Sequence, residues 1–329
     1  MIYYSYTTAK GGKDKEDAMK ANRYSGLIAA LAAVAIAGGC CSDKCGDCCG
    51  KAPAKHVVLV GVDGMGARWI PWGVMPNLSK LRAEGYYAVG RNSYPTSSGI
   101  NWATAMFGTV VEIHGYRKWN SRSPDVPAFE VTEKGIPPCI FHEIRKQDPS
   151  AYTVSLYNWD GIGFVHATNE VSYVRYFSDG SLEQRDDDAL ADCLAQLKAN
   201  KPKLTFLYQH LPDCYGHKVG WGTPEFTNAC VNVDKNLGLL VKGLEEAGML
   251  GDTAIMLVAD HGGLGKKHGM DNLECFEIPF LVSGPCVRGG WRLREPALLA
   301  DTAPTIAALL GYDVPETWRG RPALVRAER

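Results

Sequence analysis

Uninterrupted apolar stretches of strand length recur along the chain from His56 onward. They predict buried β-strands, because a strand covered on both faces carries apolar side chains at consecutive positions. The stretches are HVVLVGVDG, YTVSLYNWD, LTFLYQHLPD, TAIMLVAD and PFLVSGP. Each runs into a glycine or an acidic residue, where we expect the strand to end.

Segments with helical periodicity lie between these strands. MPNLSKLRAEG places Leu78 and Leu81 three positions apart and stops at a glycine, and DDDALADCLAQLKAN has the same character. TPEFTNACVNVDKNLGLLVKGLEEAG carries one apolar stripe, made of Val233, Leu237, Leu240 and Leu244. Because strands and helices alternate, we expect an α/β fold: a central, mostly parallel sheet with helices on both faces.

Composition places the chain among ordinary globular proteins. It has 329 residues, 46% of them hydrophobic, and a formal net charge of −1. The near-neutral charge gives no reason to expect a nucleic-acid-binding surface. A length of this order suits one large α/β domain.

The N-terminal region has a different pattern. Gly26–Gly39 is apolar or small throughout, Lys20 and Arg23 precede it, and Cys40 and Cys41 follow it. This order is typical of an export signal with a lipoprotein-type processing site, and the run is short for a membrane span. We therefore expect residues 1–54 to be a signal segment and cysteine-rich tether, and residues 55–329 to be the catalytic domain. The alternative is an amphipathic or buried helix.

An exported lipoprotein of a bacterium, facing the periplasm or the outer surface, follows from that interpretation. Its only contact with a membrane would be an N-terminal lipid anchor. Five of the eleven cysteines lie in CCSDKCGDCCGK. They suit a lipidated cysteine on a tether better than a small metal knot, because no histidine is near and the spacing is irregular. The other six cysteines are scattered, and their pairing is not determined by the sequence.

Acidic residues follow three of the predicted strands, and histidines lie close to two of them. The acids are Asp63, Asp213 and Asp260, and the histidines are His217, His261 and His268. In parallel sheets, ligands bind at the carboxyl ends of the strands. Three carboxylates and three imidazoles are enough for two metal ions if one more ligand exists, and mixed nitrogen and oxygen ligands favour Zn²⁺ over Mg²⁺.

The missing ligand is expected in SYPTSSGINWATAMFG, where a proline turn leads into a predicted helix. Ser97 or Ser98 would begin that helix, where amide groups and the helix dipole favour an anion. A serine oxygen on a metal ion would be ionised and nucleophilic. The alternative is plain N-capping, for which serine is a preferred residue.

The ordered set of motifs resembles the alkaline phosphatase superfamily, and within it the type I phosphodiesterase/nucleotide pyrophosphatase family. The motifs are Asp63, PTSSGIN, LPDCYGH, ADHGG, HGMDN and DTAPTIAALLG, and the resemblance extends from Lys55 to Leu324. It implies an alkaline phosphatase-like sandwich with two zinc ions, or Mn²⁺ or another divalent ion in their place. One ion would be held by Asp63, Ser98, Asp260 and His261, and the other by Asp213, His217 and His268. Ser98 matches the family's nucleophile, which would form a phosphoseryl intermediate.

Two groups of residues depart from the family pattern or are ambiguous. The family's asparagine that donates to a phosphoryl oxygen is represented by either Asn101 or Asn120, the latter in HGYRKWNS, where His114 is expected to be structural. Tyr157 and Trp159 could stack on a nucleobase at the site entrance, or they could be core and rim aromatics.

The resemblance implies hydrolysis of a small-molecule phosphate ester, by a phosphodiesterase or nucleotide pyrophosphatase. A phosphomonoesterase would need extra cations, for which Arg117 and Lys118 are candidates. A sulfatase-like hydrolase would need a C/S-x-P-x-R run, which PTSSGIN does not supply. A non-catalytic lipid-anchored surface protein is a further alternative, although all seven ligand positions are filled.

Overall fold

The computed structural model describes residues 54–287 and 291–326. The predicted signal segment and cysteine-rich tether lie almost wholly outside these residues, so the expectations about export and lipid anchoring stay predictions. No helix in the described ranges is both long enough and apolar enough to cross a membrane.

Nine strands and nine α-helices make up the described fold. The strands are β1 His56–Val62, β2 Tyr86–Arg91, β3 Thr153–Tyr157, β4 Tyr173–Tyr176, β5 Leu204–Gln209, β6 Thr253–Ala259, β7 Glu277–Ser283, β8 Trp291–Leu293 and β9 Leu324–Arg326. The helices are α1 Pro76–Glu84, α2 Ser98–Met106, α3 Val111–His114, α4 Ile140–Gln147, α5 Leu182–Asn200, α6 Leu211–Val219, α7 Pro224–Glu246, α8 Leu273–Phe276 and α9 Thr302–Leu310.

Seven strands form one sheet in the order β2-β7-β6-β1-β5-β3-β4. The pairs that involve β1, β3 and β5 are parallel, whereas β7 runs antiparallel to both β6 and β2. Every residue of β3, β5 and β6 is buried. Since successive side chains of a strand point to opposite faces, both faces of the sheet are covered. The predicted α/β fold with a mostly parallel sheet is confirmed.

The elements that the sequence pattern missed are short or half-polar. β2 and β4 are the two outer strands, and their residues are only partly buried. β8 and β9 pair with each other in a separate two-stranded antiparallel sheet. Strands with one exposed face or edge do not produce the long apolar runs on which the prediction rested.

One expected strand end was wrong. LTFLYQHLPD was expected to carry Asp213 at the end of a strand, but β5 ends at Gln209 and Asp213 lies in the first turn of α6. Pro212 sits in that first turn, where the missing amide hydrogen costs nothing and the fixed φ suits a helix. The consequence is that Asp213 and His217, four residues apart, share one face of a helix.

Candidate metal centre

The register of three adjacent strands brings the first site residues together. Val62 at the end of β1 pairs with Gln209 of β5 and with Ala259 of β6. The residues that follow these three partners are Asp63, His210 and Asp260. They therefore lie side by side at the carboxyl edge of the sheet.

Asp63, Asp213 and Asp260 each have one buried oxygen without a hydrogen-bond partner, and in Asp63 and Asp260 the other oxygen accepts hydrogen bonds from the protein. Asp63 Oδ2 accepts from the Tyr208 hydroxyl at 2.5 Å and from Trp102 Nε1 at 3.1 Å. Asp260 Oδ1 accepts from the amides of Gly64 at 3.1 Å and His261 at 2.9 Å. The unpartnered oxygens are Asp63 Oδ1, Asp213 Oδ1 and Asp260 Oδ2.

The three predicted histidines all present the same ring nitrogen to the site. His217 Nδ1 lies 3.1 Å from the Lys266 carbonyl oxygen, His261 Nδ1 lies 2.9 Å from that of Gly262, and His268 Nδ1 lies 3.0 Å from that of Thr96. A carbonyl oxygen only accepts, so each Nδ1 carries the proton and each Nε2 keeps its lone pair. This second contact is the usual way in which proteins orient a metal-binding imidazole.

Oxygen atoms converge on the Nε2 atom of His261. Ser98 Oγ lies 3.0 Å away, Asp260 Oδ2 lies 3.2 Å away, and Asp63 Oδ1 lies 3.5 Å away. Together with His261, these three residues are the ones that the family resemblance assigns to one ion. Lone pairs facing one another in a buried place are unfavourable unless a cation lies among them.

Two groups of potential ligand atoms overlap at the site, and Asp213 belongs to both. The ligand atoms of Asp213, His217 and His268 lie within 4.8 Å of one another, and so do those of Asp63, Asp213 and His261. The rings of His261 and His268 stack with centroids 3.9 Å apart. The first group matches one of the two ligand sets that the family resemblance implies, whereas the second joins Asp213 to Asp63 and His261 and does not include Asp260. The described residues could thus hold metal ions, and the division of ligands between two ions stays a prediction.

Burial and mutual repulsion perturb the carboxylates. Burial, followed by the charge of Asp213, raises the pKa of Asp63 to about 7. Burial, followed by the charge of Asp63, holds the pKa of Asp260 well above its usual range. Burial also lowers the pKa of His261. Such a cluster favours a bound cation, which neutralises the carboxylates without protons.

Ser98 and Ser97 occupy different places at the start of α2. Ser97 is the N-cap residue, but its side chain makes no capping hydrogen bond. Ser98 is the first helical residue, and its hydroxyl reaches His261. Both serines line the same cavity.

The two candidate asparagines have different surroundings. Asn101 is fully buried: its Oδ1 accepts from the Ser93 amide, and its Nδ2 donates to the carbonyls of Ser93, Pro95 and Ser97. Its amide therefore holds the turn before α2 and is not free for a phosphoryl oxygen. Asn120 is exposed and follows Trp119, whose carbonyl accepts from the Gly99 amide at 3.1 Å. Asn120 thus lies beside the N-terminus of α2.

A cavity of about 860 Å³ is lined by Asp213, His217 and His268, three of the predicted metal ligands. Its walls include Trp119, Trp159, Leu182 and Lys218 in addition to Ser98 and these ligands. Trp159, predicted to bind substrate, lines this cavity. Tyr157 does not: it is buried, stacked on Tyr176 and in edge contact with His166, so the structure places it in the core.

His114, Arg117 and Lys118 belong neither to the groups of potential metal ligands nor to the cavity lining. His114 is buried, with Nε2 3.1 Å from the Thr104 hydroxyl and Nδ1 accepting from the Tyr116 amide, as expected of a structural residue. Lys118 forms an ion pair with Asp125 at 3.0 Å, and the side chain of Arg117 is exposed. Neither cation lines the cavity.

His210 is the site residue that the sequence reasoning missed. Its Nε2 lies 3.6 Å from Asp213 Oδ2, and its ring lines the cavity. Burial lowers the pKa of His210, but the contact with Asp213 raises it, and the pKa lies well above its usual value. The sequence did contain one signal: His210 directly follows β5, as Asp63 directly follows β1, and the two strands are neighbours in the sheet.

Cys139, Cys193, Cys214, Cys230 and Cys275 are all free thiols. Disulfide pairing among these five does not contribute to the fold, and only Cys214 lines the cavity.

Solved structures with this fold include phosphodiesterases and sulfatases. Murine ectonucleotide pyrophosphatase/phosphodiesterase 5 matches with a TM-score of 0.63 and 17% identity, over 82% of this chain and 100% of that one. A 2-O GAG sulfatase matches with a TM-score of 0.62 and 15% identity, over 81% of this chain and 73% of that one. These TM-scores show that the chain has the alkaline phosphatase-like fold.

Curated relatives align with most of this chain but with a small part of their own length. A venom phosphodiesterase of Macrovipera lebetinus is 27% identical over 257 residues, which are 74% of this chain and 29% of the relative. Ectonucleotide pyrophosphatase/phosphodiesterase family member 3 of Bos taurus is 26% identical over 243 residues, which are 69% of this chain and 26% of the relative. The chain therefore spans less than a third of the length of these relatives.

The family model for type I phosphodiesterase/nucleotide pyrophosphatase matches residues 57–275. That range is more than half of the 329 residues, and it contains Ser98 and all six carboxylate and imidazole ligands. The chain belongs to the type I phosphodiesterase/nucleotide pyrophosphatase family.

Proposed function

We propose that this protein is a two-metal phosphodiesterase or nucleotide pyrophosphatase that uses Ser98 as its nucleophile. The observation that carries the proposal is the convergence of unpartnered carboxylate oxygens, imidazole Nε2 atoms and the Ser98 hydroxyl in one buried cluster. A purely structural cluster would not need a serine oxygen at the mouth of a large cavity.

Two zinc ions suit the donor set, which mixes imidazole nitrogen with carboxylate oxygen. One would be held by Asp63, Ser98, Asp260 and His261, and the other by Asp213, His217 and His268. When bound, zinc would lower the pKa of the serine hydroxyl and offset negative charge on the phosphoryl group and the leaving oxygen.

The chain's own residues supply the nucleophile and orient it. The Ser98 oxygen attacks phosphorus, a serine–phosphorus ester bond forms, and the bond from phosphorus to the leaving oxygen breaks. The Ser98 hydroxyl proton passes to solvent, and the leaving oxygen takes up a proton from solvent as it departs, as an alcohol from a diester or as a phosphate from a pyrophosphate. Water then hydrolyses the phosphoseryl ester and restores the hydroxyl. The position of Ser98 at the start of α2 places the phosphoryl group where the helix dipole favours an anion.

The amide that stabilises the phosphoryl oxygens would come from Asn120. The Asn101 side chain is committed to the turn before α2, and the Gly99 amide donates to Trp119. Asn120 follows Trp119 directly and its side chain is exposed. Asn120→Ala should lower kcat with little change in metal content. An unchanged kcat would exclude Asn120 from this role.

The cavity favours an ester with a large, flat group. Trp119 and Trp159 both line it, and exposed indole faces stack well on a nucleobase. An inactive variant of murine ectonucleotide pyrophosphatase/phosphodiesterase 5, which has the same fold, is known in complex with AMP. Arg117 and Lys118, which a monoesterase could use for the extra charge of its substrate, lie outside the cavity lining. The indoles support an ester that carries a flat group. Because Lys218 and His210 do line the cavity, cations do not separate a diester from a monoester, and the preference for a diester rests on the family.

The substrate class can be tested with three chromogenic esters on the zinc-loaded protein. We expect kcat/KM to be highest for bis-p-nitrophenyl phosphate, lower for p-nitrophenyl phosphate and lowest for p-nitrophenyl sulfate. Preference for the monoester would indicate an alkaline phosphatase activity, and preference for the sulfate would indicate a sulfatase. No turnover of any ester by the metal-loaded chain would support the non-catalytic alternative.

The N-terminal sequence supports an exported enzyme with a lipid on Cys40, facing the periplasm or the outer surface of a bacterium. Residues 1–54 would direct export and tether the domain that follows. Mass spectrometry of the protein from its own host should find a lipid-modified N-terminus in the membrane fraction. An intact, unmodified N-terminus in the cytosol would contradict this proposal.

A further inference from the structure

A wholly buried carboxylate, Asp186 on α5, lies behind the candidate site. It accepts hydrogen bonds from the backbone amides of His210 at 3.1 Å and Leu211 at 3.3 Å. The Asn158 side-chain amide also donates to it. Asp186 touches none of the proposed metal ligands, yet all three of its donors belong to segments that form the cavity.

The two backbone amides belong to the start of α6. The N-cap residue, His210, makes no side-chain capping bond, so the first amides of this helix depend on a carboxylate from another helix. A negative charge at a helix N-terminus also interacts favourably with the helix dipole. Four cavity-lining residues lie on α6, namely Asp213, Cys214, His217 and Lys218. The anchoring of α6 therefore sets the position of two metal ligands.

The third donor leads to another cavity-lining residue, Trp159. Asn158 is buried and immediately precedes Trp159. The Trp159 ring stacks on Tyr208, with centroids 6.5 Å apart, and Tyr208 in turn donates to Asp63. The bond from Asn158 to Asp186 thus fixes the segment that carries Trp159.

We propose that Asp186 is a positioning residue that couples the metal-binding helix α6 to the Trp159 wall of the substrate cavity. This inference rests on the proposed two-metal function. The Asp186 carboxylate holds both walls at the separation that lets a substrate lie on Trp159 while its phosphoryl group reaches the metal-binding residues.

The ionisation of Asp186 is consistent with this role. Burial raises its pKa to about 6, while its hydrogen bonds to His210, Asn158 and Leu211 oppose the rise. The carboxylate is therefore mostly ionised at neutral pH, the form in which both oxygens act only as acceptors.

The chain offers a matched control in Asp234 on α7. Asp234 is also buried, and it accepts from the backbone amides of Asn77 at 3.2 Å and Leu78 at 2.7 Å, at the start of α1. An asparagine side chain, that of Asn77, donates to it as well. None of the cavity-lining residues lies on α1. Asp234→Asn therefore reproduces the structural defect of Asp186→Asn without touching the site.

The test compares Asp186→Asn, Asp234→Asn and Asn158→Ala with the wild type. Both aspartate variants should be less stable, since an amide would bring its own N–H against existing donors. Only Asp186→Asn should lose one of the two zinc ions to a competing chelator. The affinity of the variant for that zinc ion should be about tenfold weaker or more. Asn158→Ala should raise KM for bis-p-nitrophenyl phosphate while zinc affinity stays unchanged.

Hydrogen exchange of the metal-free proteins decides the inference independently of any metal or activity. In Asp186→Asn, peptides that cover 204–220 and 153–164 should exchange faster than in both the wild type and Asp234→Asn. Equal exchange of these peptides in the two aspartate variants would overturn the inference. Absence of bound zinc in the wild type would instead refute the proposed function, and the exchange result would still stand.

Discussion

Ser97 and Ser98 are adjacent hydroxyls on one cavity wall, but only Ser98 contacts the cluster. Its Oγ is 3.0 Å from His261 Nε2, whereas Ser97 is the N-cap of α2. Ser98→Ala should lower kcat by at least about 10³-fold, because it removes the attacking atom. Ser97→Ala should change kcat far less, and Ser98→Thr should keep substantial activity, because threonine carries the same oxygen.

Zinc content provides the control for the serine variants. It should fall little in Ser98→Ala, since three protein ligands remain and water can replace the hydroxyl. Loss of a whole zinc equivalent from Ser98→Ala would show that its inactivity reflects a missing metal rather than a missing nucleophile.

His268 tests the partition of ligands between the two ions. Its Nδ1 is held by the Thr96 carbonyl and its ring stacks on His261, yet its proposed metal partners are Asp213 and His217. His268→Ala should weaken one zinc selectively and leave the other at wild-type affinity. A chelator titration followed by metal analysis measures this. Two tightly held zinc ions together with full activity in the variant would refute the assignment.

Chemistry and order along the chain identified residues that the structure brings together, while their roles as metal ligands stay predictions. Asp63, Asp260 and His261 were recognised because carboxylates and imidazoles follow apolar strands. His210 was missed because its importance depends on the register of β1 against β5, which single-chain patterns do not contain. Asn101 could not be separated from Asn120, since only the structure shows that the Asn101 amide is saturated by backbone groups.

At the scale of elements, the turn after β1 must pass close to α6. Gly64 has a φ of +70°, and a Cβ there would lie 2.7 Å from Asp213 Cα and 2.8 Å from Asp213 Cβ. Gly64→Ala should therefore destabilise the fold by about 2–4 kcal/mol and displace Asp213. Urea unfolding and zinc titration would measure the two effects.

Gly248 provides a control for Gly64, because it has a similar positive φ without a close neighbour. Its φ is +65°, but no atom lies within 4 Å of a Cβ built there. Gly248→Ala should cost only about 1–2 kcal/mol, the penalty for a left-handed L-residue, and should leave zinc binding unchanged. If both glycine variants lose zinc equally, the close approach of Gly64 to Asp213 is not what positions the ligand.

Element predictions were best for long, uniformly buried segments. β1, β5 and β6 and the apolar stripe of α7 follow directly from the apolar pattern. The boundary after β5 was wrong because the apolar residues Leu211 and Pro212, which follow Gln209 and His210, belong to the first turn of α6 and not to the strand. Local pattern does not distinguish a strand that continues from a helix that begins with a proline.

At the scale of the whole molecule, two buried histidines make stability depend on pH. Burial lowers the pKa of His166 to about 4 and that of His114 to about 3, from an ordinary value of 6.5. In the unfolded chain both take up a proton below about pH 6.5, whereas the folded chain keeps them neutral. Their contribution to stability is therefore complete above pH 6.5 and is lost as the pH falls towards 4.

The slope of that loss can be measured. Each histidine should contribute up to about 1.4 kcal/mol per pH unit to the change in unfolding free energy. His166→Gln should reduce the slope between pH 6.5 and pH 4 by up to that amount, whatever its effect on stability at pH 7. Urea unfolding at several pH values measures the slope. An identical slope in the variant would mean that His166 is protonated in the folded state.

The central claim is that Ser98 attacks phosphorus within a two-metal site, and isolating the covalent intermediate tests it most directly. Zinc-loaded protein would be mixed with bis-p-nitrophenyl phosphate, quenched in acid within milliseconds, digested and mapped by mass spectrometry. We expect a p-nitrophenyl phosphoryl group on Ser98, absent from Ser98→Ala. Label on Ser97 or Thr96, or normal turnover with no labelled residue, would contradict the claim.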